Sequence, residues 1–460
     1  MKTKNLWVVS MMALVMAACS SDDEMNNAGV VQDNEGAVVT LKLDMSNPQT
    51  KGNPEATNEQ EGSLVENTIS NVTVVVDYGT TQKVIKSGDE GVTWTNTEDE
   101  KTFKFQTPAG DAAFYVYANV NDNLSATNWA TDLVSQAADV SEYYTNNSFF
   151  MSNQNGEGVE HTINADTENN ITVNIERAAA KVTVESKSDF SGEENPFGGK
   201  LMDMHFALGN MVSKFYLLQQ APISIPSTVS YLPENDQTGD DWTEVVLNQS
   251  ASGVSSTELV SFNAAYCMEN VQSEYKQNNT TYIKFSTVFT PDKALDFNTT
   301  GGGDWTVKGT LKDVNEPSLA ADAPSFFVVL DGNAEYTSNY IMKSDLYGDN
   351  NQLKSGLSIS PAEGGGNTIT GITGITKISD EYVSGKCFFG PIWINLNTDG
   401  NASPIYRNDW YHLTVNSIKL PGLPSEPGDG GDIPLTPNVD VTLTLSVLDW
   451  NMVNHNVDLQ

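Results

Sequence analysis

Apolar and polar residues alternate along most of this chain. Near the N-terminus, apolar side chains at Val39, Leu41, Leu43 and Met45 are separated by polar ones. The same period of two recurs in further segments: 72–76, 103–105, 114–117, 171–175, 282–289, 325–330, 393–396 and 411–418. Because successive side chains of a strand point to opposite faces of a sheet, this period predicts β-strands. The pattern therefore predicts an all-β dominated fold.

One stretch departs from this period. Between residues 121 and 140, Ala126, Trp129, Leu133 and Ala137 recur at helical spacing, which predicts a helix. Helical patterns are otherwise scarce, so we expect only a few short helices.

The length of the chain suits two or three domains. We place a boundary near residue 188, where a predicted strand at 181–185 gives way to polar, Gly-rich sequence.

The C-terminal end combines a linker with a strand. Residues 421–437 are rich in Pro and Gly, which indicates a flexible, solvated linker. The strand that follows has five alternating apolar residues: Val439, Val441, Leu443, Leu445 and Val447. Fully extended, the linker reaches about 55 Å. It can therefore deliver this strand to a neighbouring molecule, or the strand can simply close its own sheet.

The N-terminus has the pattern of an export signal. Lys2 and Lys4 give it a positive start, and the apolar stretch at 6–18 is too short to span a bilayer. Together with Cys19 it resembles the lipobox of a bacterial lipoprotein, in which the Cys thiol is acylated, for example with palmitate. The alternative is an ordinary secretory signal with a chance cysteine. The acidic residues 22–24 resemble a surface-export signal. The sequence thus predicts a lipid-tethered protein at the cell surface.

The net charge limits the classes of partner that we expect, and the cysteine content bears on disulfide formation. The 460 residues carry a formal net charge of −36. Such a surface repels nucleic acid and anionic lipid, so we expect neither as a partner, and membrane contact only through the lipid on Cys19. The other cysteines are Cys267 and Cys387. Export permits a disulfide between them, but two buried free thiols fit the sequence equally well.

Motifs for catalysis or metal binding are missing from the sequence. The four His residues lack the spacing of a metal site, and no Gly-x-Ser-x-Gly motif is present. We therefore predict no enzyme and no cofactor. Residues 428–432 (Gly-Asp-Gly-Gly-Asp) could hold calcium, although their place in the linker favours a solvated role. Trp393, Trp410, Tyr411 and Trp450 could form a sugar-binding platform, but at strand spacing such residues are more often core.

Four segments together resemble the type V pilin (fimbrillin) family, the lipoprotein subunits of major and minor fimbriae of Gram-negative anaerobes. They are 38–52, a strand followed by Ser-Asn-Pro-Gln-Thr-Lys-Gly; 175–182, Ile-Glu-Arg-Ala-Ala-Ala-Lys-Val; 406–424, which contains Arg-Asn-Asp-Trp-Tyr; and 439–456, which contains Val-Leu-Asp-Trp. Their order and spacing carry the resemblance. It implies two β-sandwich (transthyretin-like) domains with a few short helices.

The resemblance also implies how the chain is divided. The parts are a signal peptide (1–18), a lipidated propeptide with a removable first strand (19–51), an N-terminal β-sandwich domain (52–188), a C-terminal β-sandwich domain (189–420), and a linker with a donor strand (421–460). A trypsin-like protease is expected to cut between Lys51 and Gly52. The family usually has Arg at the cut; here Arg177 and Arg407 are the only arginines, which agrees with a protease that tolerates Lys.

By resemblance, cleavage releases the first strand, and the C-terminal strand of another copy replaces it by donor-strand exchange. We therefore expect a structural subunit of a cell-surface fimbrium (pilus) that reaches the cell outer membrane by lipoprotein export and supports cell adhesion. Its partners would be other copies of itself, other pilus subunits and the processing protease; the receptor stays open. The alternatives are a pilus tip or accessory adhesin, a glycan-binding surface lipoprotein, or an exported enzyme.

Overall fold

The computed structural model describes most of the chain in separate ranges. These are residues 36–45, 58–61, 66–97, 100–120, 137–139, 149–187, 198–232, 245–246, 248–250, 263–299, 303, 305–330, 340–428, 430–436 and 441–451. Most of the helix predicted for 121–140 lies outside these ranges. Its described part, Ala137–Asp139, is a strand that pairs with Lys214–Tyr216. The helical prediction is therefore wrong at that end, because pairing with a distant strand overrides local spacing.

β-Strands dominate the described residues. The first half of the chain contributes β1 (Ala37–Asp44), β2 (Asn58–Glu61), β3 (Val72–Asp77), β4 (Gln82–Lys86), β5 (Thr93–Asn96), β6 (Lys101–Thr107), β7 (Gly110–Ala118), β8 (Ala137–Asp139), β9 (Met151–Asn153), β10 (Val159–Ile163), β11 (Asn169–Arg177) and β12 (Ala179–Lys187). The second half contributes β13 (Gly199–Gly209), β14 (Met211–Val212), β15 (Lys214–Tyr216), β16 (Tyr231–Leu232), β17 (Val245–Val246), β18 (Asn248–Ser250), β19 (Ala264–Met268), β20 (Tyr282–Pro291), β21 (Lys293–Thr299), β22 (Trp305–Asp313), β23 (Phe326–Val328), β24 (Tyr340–Met342), β25 (Ser358–Pro361), β26 (Asn367–Thr370), β27 (Ile372–Thr373), β28 (Lys377–Ile378), β29 (Lys386–Trp393), β30 (Asp409–Ile418) and β31 (Val441–Asn451). The prediction of an all-β dominated fold is confirmed.

Among the described residues, the helices are only three or four residues long. The α-helix α1 is a single turn at Lys343–Leu346. Turns of 3₁₀ helix lie at Gln154–Gly156, Ala320–Asp322 and Val383–Gly385. Within the described ranges, we find no helix with the length and apolar content needed to cross a membrane.

The first half of the chain forms a nine-stranded sheet. Its order is β4-β3-β7-β9-β11-β1-β6-β5, with β10 paired to β7. Val74 of β3, Phe103 of β6 and Val173 of β11 belong to one buried core, together with the apolar residues of β1. Because β3 and β6 lie towards opposite ends of this sheet and still share a core, the sheet folds over on itself.

The second half is a two-layer sandwich. A six-stranded sheet (β18-β12-β30-β31-β2, with β19 paired to β12) faces a four-stranded sheet (β17-β13-β20-β29). Val182 and Leu413 from the first layer pack with Phe285 and Phe389 from the second in one core. A smaller core that includes Ile341 and Leu346 lies beneath the short sheets of residues 293–378.

The chain passes from one sheet to the other at Ala178. β11 ends at Arg177 in the nine-stranded sheet, and β12 begins at Ala179 in the six-stranded sheet. The strand at 181–185, which local pattern suggested as the end of the first domain, therefore pairs with β30 of the second half. The boundary near residue 188 stays a prediction. Local sequence showed the end of a strand but not its partner, which lies far along the chain.

The Pro/Gly linker differs from the flexible, solvated segment that its composition indicated. Leu423 exchanges two backbone hydrogen bonds with Phe388 of β29, at 2.7 and 2.9 Å. Further along, the Gln277 amide donates to the Ile433 carbonyl at 3.0 Å. Trp393 Nε1 donates to the Thr436 carbonyl at 2.8 Å. The described part of the linker thus lies along the second sandwich, because side chains and backbone amides of that sandwich form hydrogen bonds with the linker backbone.

Candidate strand-exchange site

Strand β1 lies in the interior of the nine-stranded sheet. It pairs in parallel with β11 and antiparallel with β6. Leu41, for example, lies opposite Ile171 of β11 and Phe103 of β6. The backbone of β1 is therefore paired on both sides. Its removal would leave a slot between β11 and β6, bordered by two strand edges with unpaired N–H and C=O groups.

The four apolar positions predicted from the alternation share one buried face. Val39 and Leu41 are 0% exposed, Leu43 is 4% exposed and Met45 is 6% exposed. At about 1.5–3 kcal/mol for each side chain, their burial contributes roughly 6–12 kcal/mol as an upper bound. A whole domain is stable by only about 5–15 kcal/mol. An empty slot would therefore strongly favour the entry of another apolar strand.

The outer face of β1 makes few contacts. Thr40 Oγ1 donates to Glu168 Oε1 at 3.3 Å, and Lys104 Nζ lies 3.1 Å from the same oxygen. The hydrogen bond and charge of Lys104 hold the pKa of the Glu168 carboxyl below its usual value. Asn169 Nδ2 donates to the Val38 carbonyl at 3.0 Å. Because the contacts of Glu168 are exposed and only the hydrogen bond from the buried Asn169 is shielded, β1 is held mainly by its buried face and its backbone pairing.

The C-terminal strand β31 lies in a different sheet from β1. It pairs antiparallel with β30, from Val441 opposite Ile418 to Asp449 opposite Asp409. On its other side, β2 pairs in parallel with residues 448–451. Among the described residues, the 441–447 part of β31 therefore has one neighbouring strand. Leu445 is half-buried against the core of the second sandwich.

The segment after the expected cleavage site returns to the second sandwich. β2 begins at Asn58, close behind Lys51 in sequence, and contacts the end of β31. The next described residue, Glu66, is buried between the two halves of the molecule. The segment that would form the new N-terminus is therefore attached to the second half of the chain and not to β1.

Two buried ionic clusters hold the two halves together. In the first, Lys181 Nζ lies 2.9 Å from Glu66 Oε1, and Tyr266 donates a hydrogen bond to the same oxygen at 2.5 Å. Arg177 Nε donates to the Glu66 carbonyl at 3.1 Å and Arg177 Nη1 donates to Asn408 Oδ1 at 3.2 Å. Burial lowers the pKa of the Lys181 ammonium, and the Glu66 carboxylate opposes that shift.

The second cluster surrounds Arg407. Arg407 Nη2 lies 3.3 Å from Glu269 Oε1 and donates to the Tyr216 carbonyl at 3.1 Å. The neighbouring Glu176 accepts a hydrogen bond from the Asn155 amide at 3.3 Å. Burial raises the pKa of the Glu176 carboxyl to about 8, although the Arg407 charge opposes this. Both arginines of the chain thus serve the contact between its halves.

Sequence reasoning missed the role of these charged residues. Glu176, Arg177 and Lys181 belong to the segment 175–182, and Arg407 belongs to 406–424, two of the four segments that carried the resemblance. Charged residues within apolar strands were the available signal, because a buried charge needs a partner. The partners are distant in sequence, so only the fold reveals them.

Other candidate sites lose support from the side-chain positions. Trp393, Trp410 and Tyr411 are buried, so they do not form an exposed sugar platform. Cys267 and Cys387 are buried free thiols, which answers the disulfide question left open by the sequence. Burial raises the pKa of the Cys267 thiol to about 12. Within the described ranges, no group of three or more His, Cys, Asp or Glu is placed to hold a metal ion.

Several predicted site residues lie outside the described ranges. These are Cys19, Lys51, Gly52 and Val439. Of the other donor-strand positions, Val441, Leu443, Leu445 and Val447 all lie in β31. The structure therefore brings the residues of the first strand together on one face and places the C-terminal strand in a separate sheet.

The C-terminal region matches a known family. Residues 380–456 fit the family model described as "Major fimbrial subunit protein type IV, Fimbrillin, C-terminal". This region is therefore similar to the C-terminal part of the fimbrillins. The match includes the fimbrillin-like segments 406–424 and 439–456, whereas the segments 38–52 and 175–182 precede it. The resemblance to the fimbrillin family is thereby confirmed.

The solved structures that align with most of this chain include fimbrial and adhesion proteins. A fimbrilin of Porphyromonas gingivalis is 12% identical, with a TM-score of 0.46, over 92% of this chain and 99% of that one. A candidate cell adhesion protein of Parabacteroides distasonis is 15% identical, with a TM-score of 0.43, over 91% and 98% of the two chains. The C-terminally truncated tip fimbrial protein of Porphyromonas gingivalis is 14% identical, with a TM-score of 0.35, over 90% and 100%. A direct comparison with curated proteins finds no match.

Proposed function

We propose that this protein is a structural shaft subunit of a cell-surface fimbrium and polymerises by donor-strand exchange. The fimbrillin match of residues 380–456 supports a fimbrial subunit. The observation that carries the exchange mechanism is the enclosed position of β1, whose four apolar residues are buried and whose backbone is paired on both sides. This strand lies directly before the expected cut at Lys51.

The proposed pathway begins with export. The chain crosses the inner membrane on the signal 1–18, is lipidated on Cys19 and reaches the outer membrane as a lipoprotein. In this precursor β1 completes the nine-stranded sheet and protects its core. A trypsin-like protease then cuts after Lys51, which separates β1 and the lipid from the rest of the chain. The sheet no longer has a covalent link to β1.

Assembly follows from the slot that β1 leaves. Another copy supplies its C-terminal strand, which pairs with the free edges of β11 and β6 by strand addition. The five apolar side chains of that strand enter the core, at roughly 8–15 kcal/mol as an upper bound. Each copy accepts one strand and donates one, so the contact is head to tail and extends into a filament. Adhesion would be a property of the assembled fimbrium.

The proposal can be tested with the purified precursor that lacks the signal peptide. We expect limited trypsin treatment to yield a new N-terminus at Gly52 and a ladder of oligomers on an unheated denaturing gel, which disappears on boiling. Clean cleavage without a ladder would favour a tip or accessory subunit. A precursor that resists cleavage at Lys51 and stays monomeric would contradict the polymerisation mechanism.

Two substitutions at the cut provide the matched controls. Lys51→Gln removes the cleavable residue, so β1 should stay in place and no ladder should form. Lys51→Arg keeps the charge and should restore the ladder with trypsin. Lys51→Arg also tests which residue the natural processing protease needs at the cut. A strictly Arg-specific enzyme should cut Lys51→Arg and leave the natural sequence intact.

A further inference from the structure

We propose that the incoming strand enters the slot in the same direction as β1 and at one defined register. This inference rests on the proposed exchange mechanism and assigns its geometry. In this register Val441 takes the place of Val39. The strand then fills the positions of Ala37, Val39, Leu41, Leu43 and Met45 with Val439, Val441, Leu443, Leu445 and Val447, in that order.

The two strands have closely similar sequences. Residues 39–45 are Val-Thr-Leu-Lys-Leu-Asp-Met, and residues 441–447 are Val-Thr-Leu-Thr-Leu-Ser-Val. At the proposed register, each buried Val or Leu of β1 is replaced by the same residue, and Met45 is replaced by a Val. The inner face of the slot therefore keeps its side chains at the Val39, Leu41 and Leu43 positions, and their sizes change only at its two ends, where Val439 replaces Ala37 and Val447 replaces Met45. Thr442 takes the position of Thr40, so its hydroxyl can donate to Glu168 as Thr40 does at 3.3 Å.

Other registers in the same direction are unfavourable. A slip of one residue would turn the polar residues of the strand into the core. A slip of two that puts Val439 in the place of Val39 would bring Asp440 beside the Glu168 carboxylate and leave a void at the fully buried Leu41 position. The opposite slip of two would force a Leu into the fully buried Val39 position.

The direction of the strand is decided at one end of the slot. The order Val-Leu-Leu-Val of residues 441, 443, 445 and 447 reads the same in reverse, so these four side chains fit either direction. At the next inner position, Ala37 is 3% exposed and belongs to the apolar core. The reversed strand would place the carboxylate of Asp449 there, which costs far more than an apolar side chain. The proposed direction places Val439 there instead.

Cysteine pairs can distinguish the two directions. Thr40 lies opposite Lys104 of β6, and Lys104 is exposed. Opposed residues of neighbouring strands have Cβ atoms about 4.5–5.5 Å apart, close enough for a disulfide after small adjustments. The acceptor is the full-length chain with Lys104→Cys and Leu445→Asp, cut with trypsin before the protease is inhibited. The donor carries Lys51→Gln, which keeps its own slot filled, and either Thr442→Cys or Ser446→Cys.

We expect oxidation to link donor and acceptor with Thr442→Cys at least tenfold more than with Ser446→Cys. The reverse preference would overturn the proposed direction. Heat-sensitive dimers on an unheated gel without either crosslink would overturn the register and leave donor-strand exchange standing. If no dimer forms, the proposed function itself fails. Donors without an added cysteine serve as the control, because Cys267 and Cys387 are buried.

Discussion

The two strands at the ends of this chain have similar sequences and very different positions. β1 is enclosed between β11 and β6, with its four apolar residues in the core of the nine-stranded sheet. β31 lies beside β30 in the second sandwich, and the described part of β2 covers it only at residues 448–451. β1 is paired on both sides through its middle, residues 39–42, whereas the described part of β31 has one neighbouring strand over residues 441–447.

This difference indicates why the two ends would play different roles in assembly. An enclosed strand cannot leave without the loss of two sets of backbone hydrogen bonds and a large buried face, so a covalent cut is needed to make its replacement irreversible. A strand with one neighbour along most of its length leaves its sheet at a lower cost. The pairing thus makes β31 the easier strand to detach, and in the proposed mechanism β1 is lost only after the cut at Lys51.

The largest expected effect comes from a charge on the inner face of the C-terminal strand. Leu445→Asp should abolish the trypsin-induced ladder, because the new carboxylate would have to enter an apolar slot. Thr444→Asp is the matched control: in the proposed register it replaces the exposed Lys42, so the ladder should persist. Unheated gels of both cleaved proteins measure the effect, and melting curves of both precursors establish that they fold.

A second effect concerns the contact between the two halves of the molecule and changes the free energy of unfolding by an amount on the order of 4 kcal/mol. The folded-state pKa of Glu176 is raised from 4.5 to about 8, so the native state holds a proton that the unfolded state loses. This stabilisation is fully present below about pH 4.5 and is lost as the pH rises towards 8. Urea unfolding from pH 5 to 8 should therefore show falling stability.

The variant Glu176→Gln isolates this contribution. Its amide does not titrate, so the fall in stability between pH 5 and 8 should be smaller than in the natural sequence. The same difference should appear in the cleaved chain, because Glu176 lies at the contact between the halves and not in the slot. Parallel pH curves for Glu176→Gln and the natural sequence would contradict the assignment.

A third effect, about 2–5 kcal/mol, concerns the enclosed strand itself. Leu41→Ala should destabilise the precursor by this amount, because it removes a fully buried side chain and leaves a cavity. The neighbouring Lys42→Ala is exposed and should have almost no effect. Urea unfolding of the uncut precursors measures both. After cleavage and release of the first strand, the Leu41→Ala protein should be indistinguishable from the natural sequence.

The smallest expected effect tests whether the linker moves with the strand. The described part of the linker contacts the second sandwich as far as Thr436, so in the proposed mechanism β31 leaves while this part of the linker stays in place. Lys276 and Pro434 lie opposite each other in a β-bridge. A disulfide from Lys276→Cys and Pro434→Cys should therefore leave the ladder unchanged. A ladder that appears only after reduction would show that the linker must detach.

Local sequence predicted what depends on local pattern. The period of two identified β1 and its buried face, because a strand's inner side chains must be apolar when its sheet covers a core. The same pattern identified β31. It could not distinguish an enclosed strand from a peripheral one, because the alternation is the same in both. It also misjudged the linker, because its Pro and Gly content does not show which side chains of the second sandwich bind it.

The sequence by itself determined the all-β fold, the inner face of β1, and the four segments that resemble the fimbrillins. The tertiary structure alone decided which strands lie beside each other, where the chain changes sheet at Ala178, and which residues neutralise Glu66 and Arg407. The physical reason is that alternation and composition are properties of neighbours in sequence. Strand pairing and charge burial depend on residues that only the folded chain brings together.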